Sequence, residues 1–179
     1  MDTFKLNFTV LDQEVFSLLC VRSGEKLSQR DIAKILRVSP TAISNSVKSL
    51  KKVNLIKIEK TKTINFISFN RDGQKAVDLK RVENMKNIYI SGLSEHLESE
   101  LPGGIIILFG SYSRGEDTYA SDIDIAVIGR RDKLLEIEIY EEILKRKINV
   151  NFYDSWKNIN KHLKNNILSG ILLHGAIEL

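Results

Sequence analysis

Two aspartates one residue apart, in Ser121-Asp122-Ile123-Asp124-Ile125-Ala126-Val127-Ile128, are the side chains of this 179-residue chain whose spacing most directly implies chemistry. Residues two apart in an extended strand share a face, so Asp122 and Asp124 project together while Ile123 and Ile125 enter a core. Adjacent carboxylates repel, and a divalent cation that prefers hard oxygen ligands, Mg²⁺, relieves the repulsion. Upstream, the unbroken apolar run Ile105-Ile106-Ile107-Leu108-Phe109 reads as a strand buried on both faces and ends abruptly in Gly110-Ser111. A glycine at that turn lets backbone N–H groups approach a phosphate, and a helix starting there adds its positive end. Arg114 is placed as a charge-assisted donor to the same phosphates.

Ten residues separate Ser111 from Asp122. The set Gly110-Ser111, Arg114-Gly115 and Ser121-Asp122-Ile123-Asp124 resembles the minimal nucleotidyltransferases of the DNA polymerase beta superfamily, whose pattern is glycine-serine, ten residues, then Asp-x-Asp. The closing Gly170-Ile171-Leu172-Leu173-His174-Gly175 is similar to the family's terminal apolar tail. The resemblance implies that Mg²⁺ holds the triphosphate of an NTP, ATP by expectation, for attack on its α-phosphorus. Asp122 and Asp124 would be the metal ligands and catalytic carboxylates, Gly110, Ser111 and Arg114 the phosphate binders. The family's third carboxylate sits on the next strand, and the matching stretch here is Arg146-Lys147-Ile148-Asn149-Val150-Asn151-Phe152. Alternation sends Ile148, Val150 and Phe152 to the core and Asn149 and Asn151 to the active-site face, where Asn149 takes the position of the family's aspartate. An amide oxygen is a neutral, weaker Mg²⁺ ligand and no general base, so one ion is retained while transfer is slow or lost. Asp154 lies five residues on, about 16 Å along a strand, too far to replace it.

The excess positive charge lies elsewhere. Lys26 to Lys62 carries ten Lys and Arg against two acids, while from residue 101 onward ten basic residues face eleven acidic ones. Clustered positive charge attracts a polyanion. Within that region a helix over about 11–22 is followed by two helix starts. Ser28 is the first N-cap, with Asp31 beside the exposed N–H groups and Leu27 stapled to Ile32; Ser39 is the second, with Pro40 at the first helical position. The helix after Pro40 buries Ile43, Val47 and Leu50 and turns outward Thr41, Ser44, Asn45, Lys48 and Lys52. Short polar groups near its start suit base edges in a major groove, and lysines further along suit phosphates. A hairpin follows, Leu55–Glu59 and Ile64–Phe69, with Lys60 and Lys62 at its tip. In this order the segments resemble winged-helix transcriptional regulators, which implies a double-stranded DNA partner.

Between the two parts Val82, Met85, Tyr89, Leu93, Leu97 and Leu101 recur three or four apart, which predicts a connector helix of about 40 Å with Ser91-Gly92 as its weak point. Its apolar stripe either pairs with a second copy through residues 74–101 or packs against its own chain; the spacing leaves both open. Pro102-Gly103-Gly104 ends it. The expected organisation is therefore α+β in three parts. Residues 1–71 form a winged helix (three helices and a hairpin), 72–102 a connector, and 103–179 a nucleotidyltransferase-like mixed sheet with flanking helices.

No run approaches the roughly 18 consecutive apolar residues of a membrane span, and the start MDTFKLNFTV has no apolar signal core, so the expected location is cytoplasmic. Cys20, the single cysteine, reads as a buried small hydrophobe. His96, His162 and His174 lack metal-ligand spacing, Trp156 reads as core, and Glu136, Glu138, Glu141 and Glu142 as a solvated helix face. The leading reading is a DNA-binding regulator whose second domain binds Mg-NTP. The alternative is an active transferase that moves NMP, AMP by expectation, to a protein or nucleic-acid hydroxyl, as an antitoxin beside a helical toxin partner.

Overall fold

The computed structural model describes residues 8–177, and the chain divides into two compact units, Met1–Lys80 and Arg81–Leu179. The division falls inside a helix and not at Pro102.

In the first unit, α1 (Val10–Val21) starts in a capping box: Asp12 N donates to Thr9 Oγ1 at 3.1 Å and Thr9 N to Asp12 Oδ2 at 3.0 Å. The same reciprocal pair starts α2 (Gln29–Leu36), with Ser28 as N-cap and Asp31 three residues on. The Ser28 hydroxyl, then the Ser28 N–H, hold the Asp31 carboxyl below its ordinary range. Ser39 caps α3 (Pro40–Lys52), with proline at its first position. Leu27–Ser28, expected only as a helix start, also forms a short strand β1. It pairs with β3 (Asn65–Phe69), which pairs in turn with β2 (Ile56–Lys60), giving an antiparallel sheet in the order β1-β3-β2. Val15, Leu19, Ile32, Ile43, Val47, Leu50, Ile56 and Ile67 fill the core between helices and sheet, and Cys20 is buried among them.

The connector is not one helix. α4 (Gln74–Ile90) ends at Ser91, and α5 (Leu93–Glu100) begins after Gly92, whose φ of 80° is left-handed. Glycine reaches that conformation at no steric cost, so the helix is interrupted although the three-and-four apolar spacing continues across the break. The expected stripe divides accordingly. Leu93, Leu97 and Leu101 are buried in the core of the second unit and Met85 packs against it, while Val82 and Tyr89 remain exposed.

The second unit is built on a four-stranded mixed sheet in the order β6-β5-β4-β7. Here β4 is Ile105–Phe109, β5 Ile123–Ile128, β6 Ile148–Tyr153 and β7 Ile171–His174. β4 runs antiparallel to β5 and β7, and β5 parallel to β6. A parallel neighbour needs a crossover, and the one from β5 to β6 contains α7 (Glu138–Leu144). One sheet face (Ile106, Leu108, Ile123, Ile125, Val127, Ile148) shares a core with Ile88, Leu93 and Leu97. The other (Ile107, Phe109, Ala126, Ile128) packs with Ile159 and Ile167, the latter on α8 (Lys161–Leu168). Among the described residues, no helix is long and apolar enough to cross a membrane.

Candidate functional site

Asp122 and Asp124 stand at the start of β5, where three strand ends meet. Asp124 lies opposite Phe109, the last residue of β4, in the antiparallel register, and opposite Asn149 in the parallel register with β6. After Phe109 the chain turns through Gly110 (φ 76°) into α6, a short helix over Gly110–Arg114 that includes Ser111. The turn is closed by Ser113 Oγ donating to the Gly110 carbonyl at 2.9 Å. A Cβ on residue 110 would come within 2.6 Å of Asp124 Oδ2. Glycine is therefore required twice at this point, for its backbone angle and for the space beside a carboxylate oxygen.

Asn149 faces both aspartates. Its Nδ2 donates to Asp122 Oδ2 at 3.1 Å and to Asp124 Oδ1 at 3.4 Å. Among the described residues, no group of three or more His, Cys, Asp or Glu side chains could hold a metal ion. Asp154, on the chain beyond β6, lines a different groove with Arg130 and Asp132. The donor set around Gly110 is thus two carboxylates and an amide.

Two grooves flank this pair. A groove of about 570 Å³ beside Asp122 is lined by Tyr119, Ser121, Glu138, Glu141 and Lys147. A second, of about 450 Å³ beside Asp124, is lined by Asp132, Lys133, Asn149 and Asn151. Glu141, expected on a solvated helix face, instead accepts from Lys147 Nζ at 2.7 Å and from the Ile148 N–H at 2.9 Å, fastening α7 to the first residue of β6. The Lys147 ammonium, then the Ile148 N–H, lower the Glu141 carboxyl below its ordinary range; Glu141 in turn raises Lys147.

Beneath the surface, Asp117 and Arg146 are both buried, with Arg146 Nη2 3.6 Å from Asp117 Oδ2. Asn84, on α4, donates to Asp117 Oδ1 at 2.7 Å and to the Tyr112 carbonyl at 2.9 Å. Asp117 lies five residues before Asp122, and Arg146 three before Asn149. This network therefore anchors both segments that carry the site. Arg114, expected at phosphates, is held by Glu116 Oε2 at 2.8 Å and by Asn166 Oδ1, on α8, at 3.1 Å. Its ion pair is exposed and therefore weak.

In the first unit, Thr41, Asn45, Lys48 and Lys52 are exposed along α3, with Ser44 half-buried and Ile43, Val47 and Leu50 on the buried side. Lys60 ends β2, and Lys62 is exposed in the hairpin turn. Thr61 closes that turn, its N–H donating to the Ile64 carbonyl at 3.0 Å and its hydroxyl to the same oxygen at 2.7 Å. Among the described residues, none of these four lysines is in an ion pair.

Residues 93–177 match the family model described as Polymerase beta, Nucleotidyltransferase. This part of the chain has a nucleotidyltransferase fold. It contains β4 to β7 and with them Gly110, Ser111, Arg114, Asp122, Asp124 and Asn149. Two solved structures of mutants of Lactococcus lactis ZitR are similar at 18% identity, with TM-scores of 0.41 and 0.42. Each similarity covers 56% of this chain and 66% of the ZitR chain. No curated protein matches the chain.

Proposed function

We propose that the chain is a DNA-binding regulator whose nucleotidyltransferase domain holds a single Mg²⁺ with an NTP, preferably ATP, and transfers its nucleotidyl group slowly or not at all. The observation that carries this reading is Asn149 beside Asp122 and Asp124, where the family resemblance calls for a third carboxylate. Two carboxylates beside a glycine that leaves Asp124 Oδ2 uncovered fit one hard cation. When bound, Mg²⁺ would supply charge neutralisation to the phosphates of the nucleotide. Asp122 and Asp124 would hold it, and Gly110, Ser111 and Arg114 would position phosphate oxygens. Asn149 cannot accept a proton from an attacking hydroxyl, because an amide is no base at neutral pH.

The DNA-binding half of the proposal rests on the winged-helix reading of the first unit. Capped α2 leads by a tight turn into α3, and the β2–β3 hairpin follows with a basic tip, as in a helix-turn-helix with a wing. Thr41, Ser44 and Asn45 would meet base edges, and Lys48, Lys52, Lys60 and Lys62 phosphates. Gel shifts at low salt with the DNA upstream of the chain's own coding sequence test it. Sequence-selective binding weakened by Asn45→Ala and Lys48→Ala is expected; weak binding indifferent to both substitutions contradicts it.

The complete Gly110-Ser111 to Asp122/Asp124 set favours a second reading, an active transferase of NMP to a protein or nucleic-acid hydroxyl, including that of a helical toxin partner. Labelled ATP with Mg²⁺ and candidate acceptors separates the two. Transfer by the wild-type chain that Asp122→Ala abolishes selects the enzyme. No transfer by the wild type, with transfer gained in Asn149→Asp, selects the lapsed site.

A further inference from the structure

Two carboxylates that share a strand face need a positive partner between them, and at the start of β5 an amide already supplies one. Asn149 Nδ2 stands 3.1 Å from Asp122 Oδ2 and 3.4 Å from Asp124 Oδ1. The side-chain NH₂ of asparagine has two hydrogens and no acceptor capacity, so it serves two carboxylate oxygens at once. The placement is enforced by backbone, because the parallel register sets Asn149 directly opposite Asp124 and Ile123 N donates to the Lys147 carbonyl at 2.8 Å. An NH₂ group cannot ligate Mg²⁺, which takes oxygen ligands. A cation that takes Asp122 Oδ2 and Asp124 Oδ1 must therefore displace the amide from them.

We infer that Asn149 is a built-in competitor of the cation: its amide holds the two aspartates together, and an ion gains the site by displacing it. The inference rests on the proposed reading of Asp122 and Asp124 as metal ligands. It carries a consequence for what the site accepts. A free ion gains two carboxylates and costs two amide hydrogen bonds, whereas an ion arriving on a triphosphate brings further oxygen ligands of its own. Asn149 thus biases the site toward Mg-NTP over free Mg²⁺.

Mn²⁺ titrations of the full chain, followed by electron paramagnetic resonance without nucleotide, test this in the wild type, Asn149→Ala and Asn149→Asp. Loss of the competing donor should tighten Mn²⁺ binding in Asn149→Ala by about three- to tenfold, the scale of one net hydrogen bond. Asn149→Asp should bind more tightly still. In EDTA, Asn149→Ala should melt below the wild type, since its aspartates lose their shared donor. If Asn149→Ala binds Mn²⁺ as the wild type does or more weakly, the amide is not a competitor, and the inference falls while the metal site stands. An unchanged melting temperature in EDTA counts against it equally. If no variant takes up Mn²⁺, Asn149→Asp included, the reading of the pair as a metal site falls with it.

Discussion

On α3 the charged side chains are of one sign, spread along an exposed helix face and left to water. At the start of β5 two side chains of one sign are held across a single residue, and a third group from a neighbouring strand is brought in to relieve them. The first arrangement needs only one element with a buried side (Ile43, Val47, Leu50), because solvated charges several ångströms apart repel weakly. The second needs the end of β4, the start of β5 and the start of β6 in register, plus a turn residue without a side chain. An exposed basic face can be assembled from local sequence; a carboxylate pair with its amide needs long-range pairing. The two regions should therefore fail differently under substitution.

The largest effect is expected where the second region is anchored. Asp117→Ala leaves Arg146 buried without its carboxylate, a loss of about 3–5 kcal/mol. Hydrogen exchange should show β5 and β6 loosened and α3 unchanged; equal loosening of both units would erase the contrast. Next comes DNA binding. Asn45→Ala should cost about 1–3 kcal/mol of discrimination between sites, while Lys48→Ala should weaken all sequences alike and reduce the salt slope by about one. Fluorescence anisotropy over a salt series reads both.

Gly110→Ala forces a side chain into the left-handed region and against Asp124 Oδ2. About 1–2 kcal/mol of strain in a thermal melt is expected, with weaker Mn²⁺ binding and intact DNA binding. The smallest effect belongs to Glu141. Its carboxyl is lowered in the folded chain, so its contribution is complete above the ordinary glutamate pKa of about 4.3 and fades as pH falls through the lowered value. The stability difference between the wild type and Glu141→Gln should accordingly be present at pH 7 and shrink in acid. A difference that grows in acid would reverse the sign of the argument.

Much of this was legible wherever the signal is local. Ser28 with Asp31, and Ser39 with Pro40, start helices because a cap and its partner lie within one turn. The shared face of Asp122 and Asp124 follows from the period of a strand, and the opposition of Asn149 to Asp124 from the alternation of Ile148, Val150 and Phe152. The Asn84–Asp117–Arg146 network was not legible, because its members are about 30 residues apart and share no periodicity. Nor was the engagement of Arg114 by Asn166, which α8 brings from the far end of the domain. The break at Gly92 was visible only as a weak point, because apolar spacing reports a helix face and not the continuity of its backbone.

Mn²⁺ anomalous diffraction from crystals of the full chain grown with a non-hydrolysable ATP analogue tests the central claim most directly. One ion, bound by Asp122 and Asp124 with the Asn149 amide moved off them, is the expected result. Two ions in the site, or none beside Asp122, would contradict it.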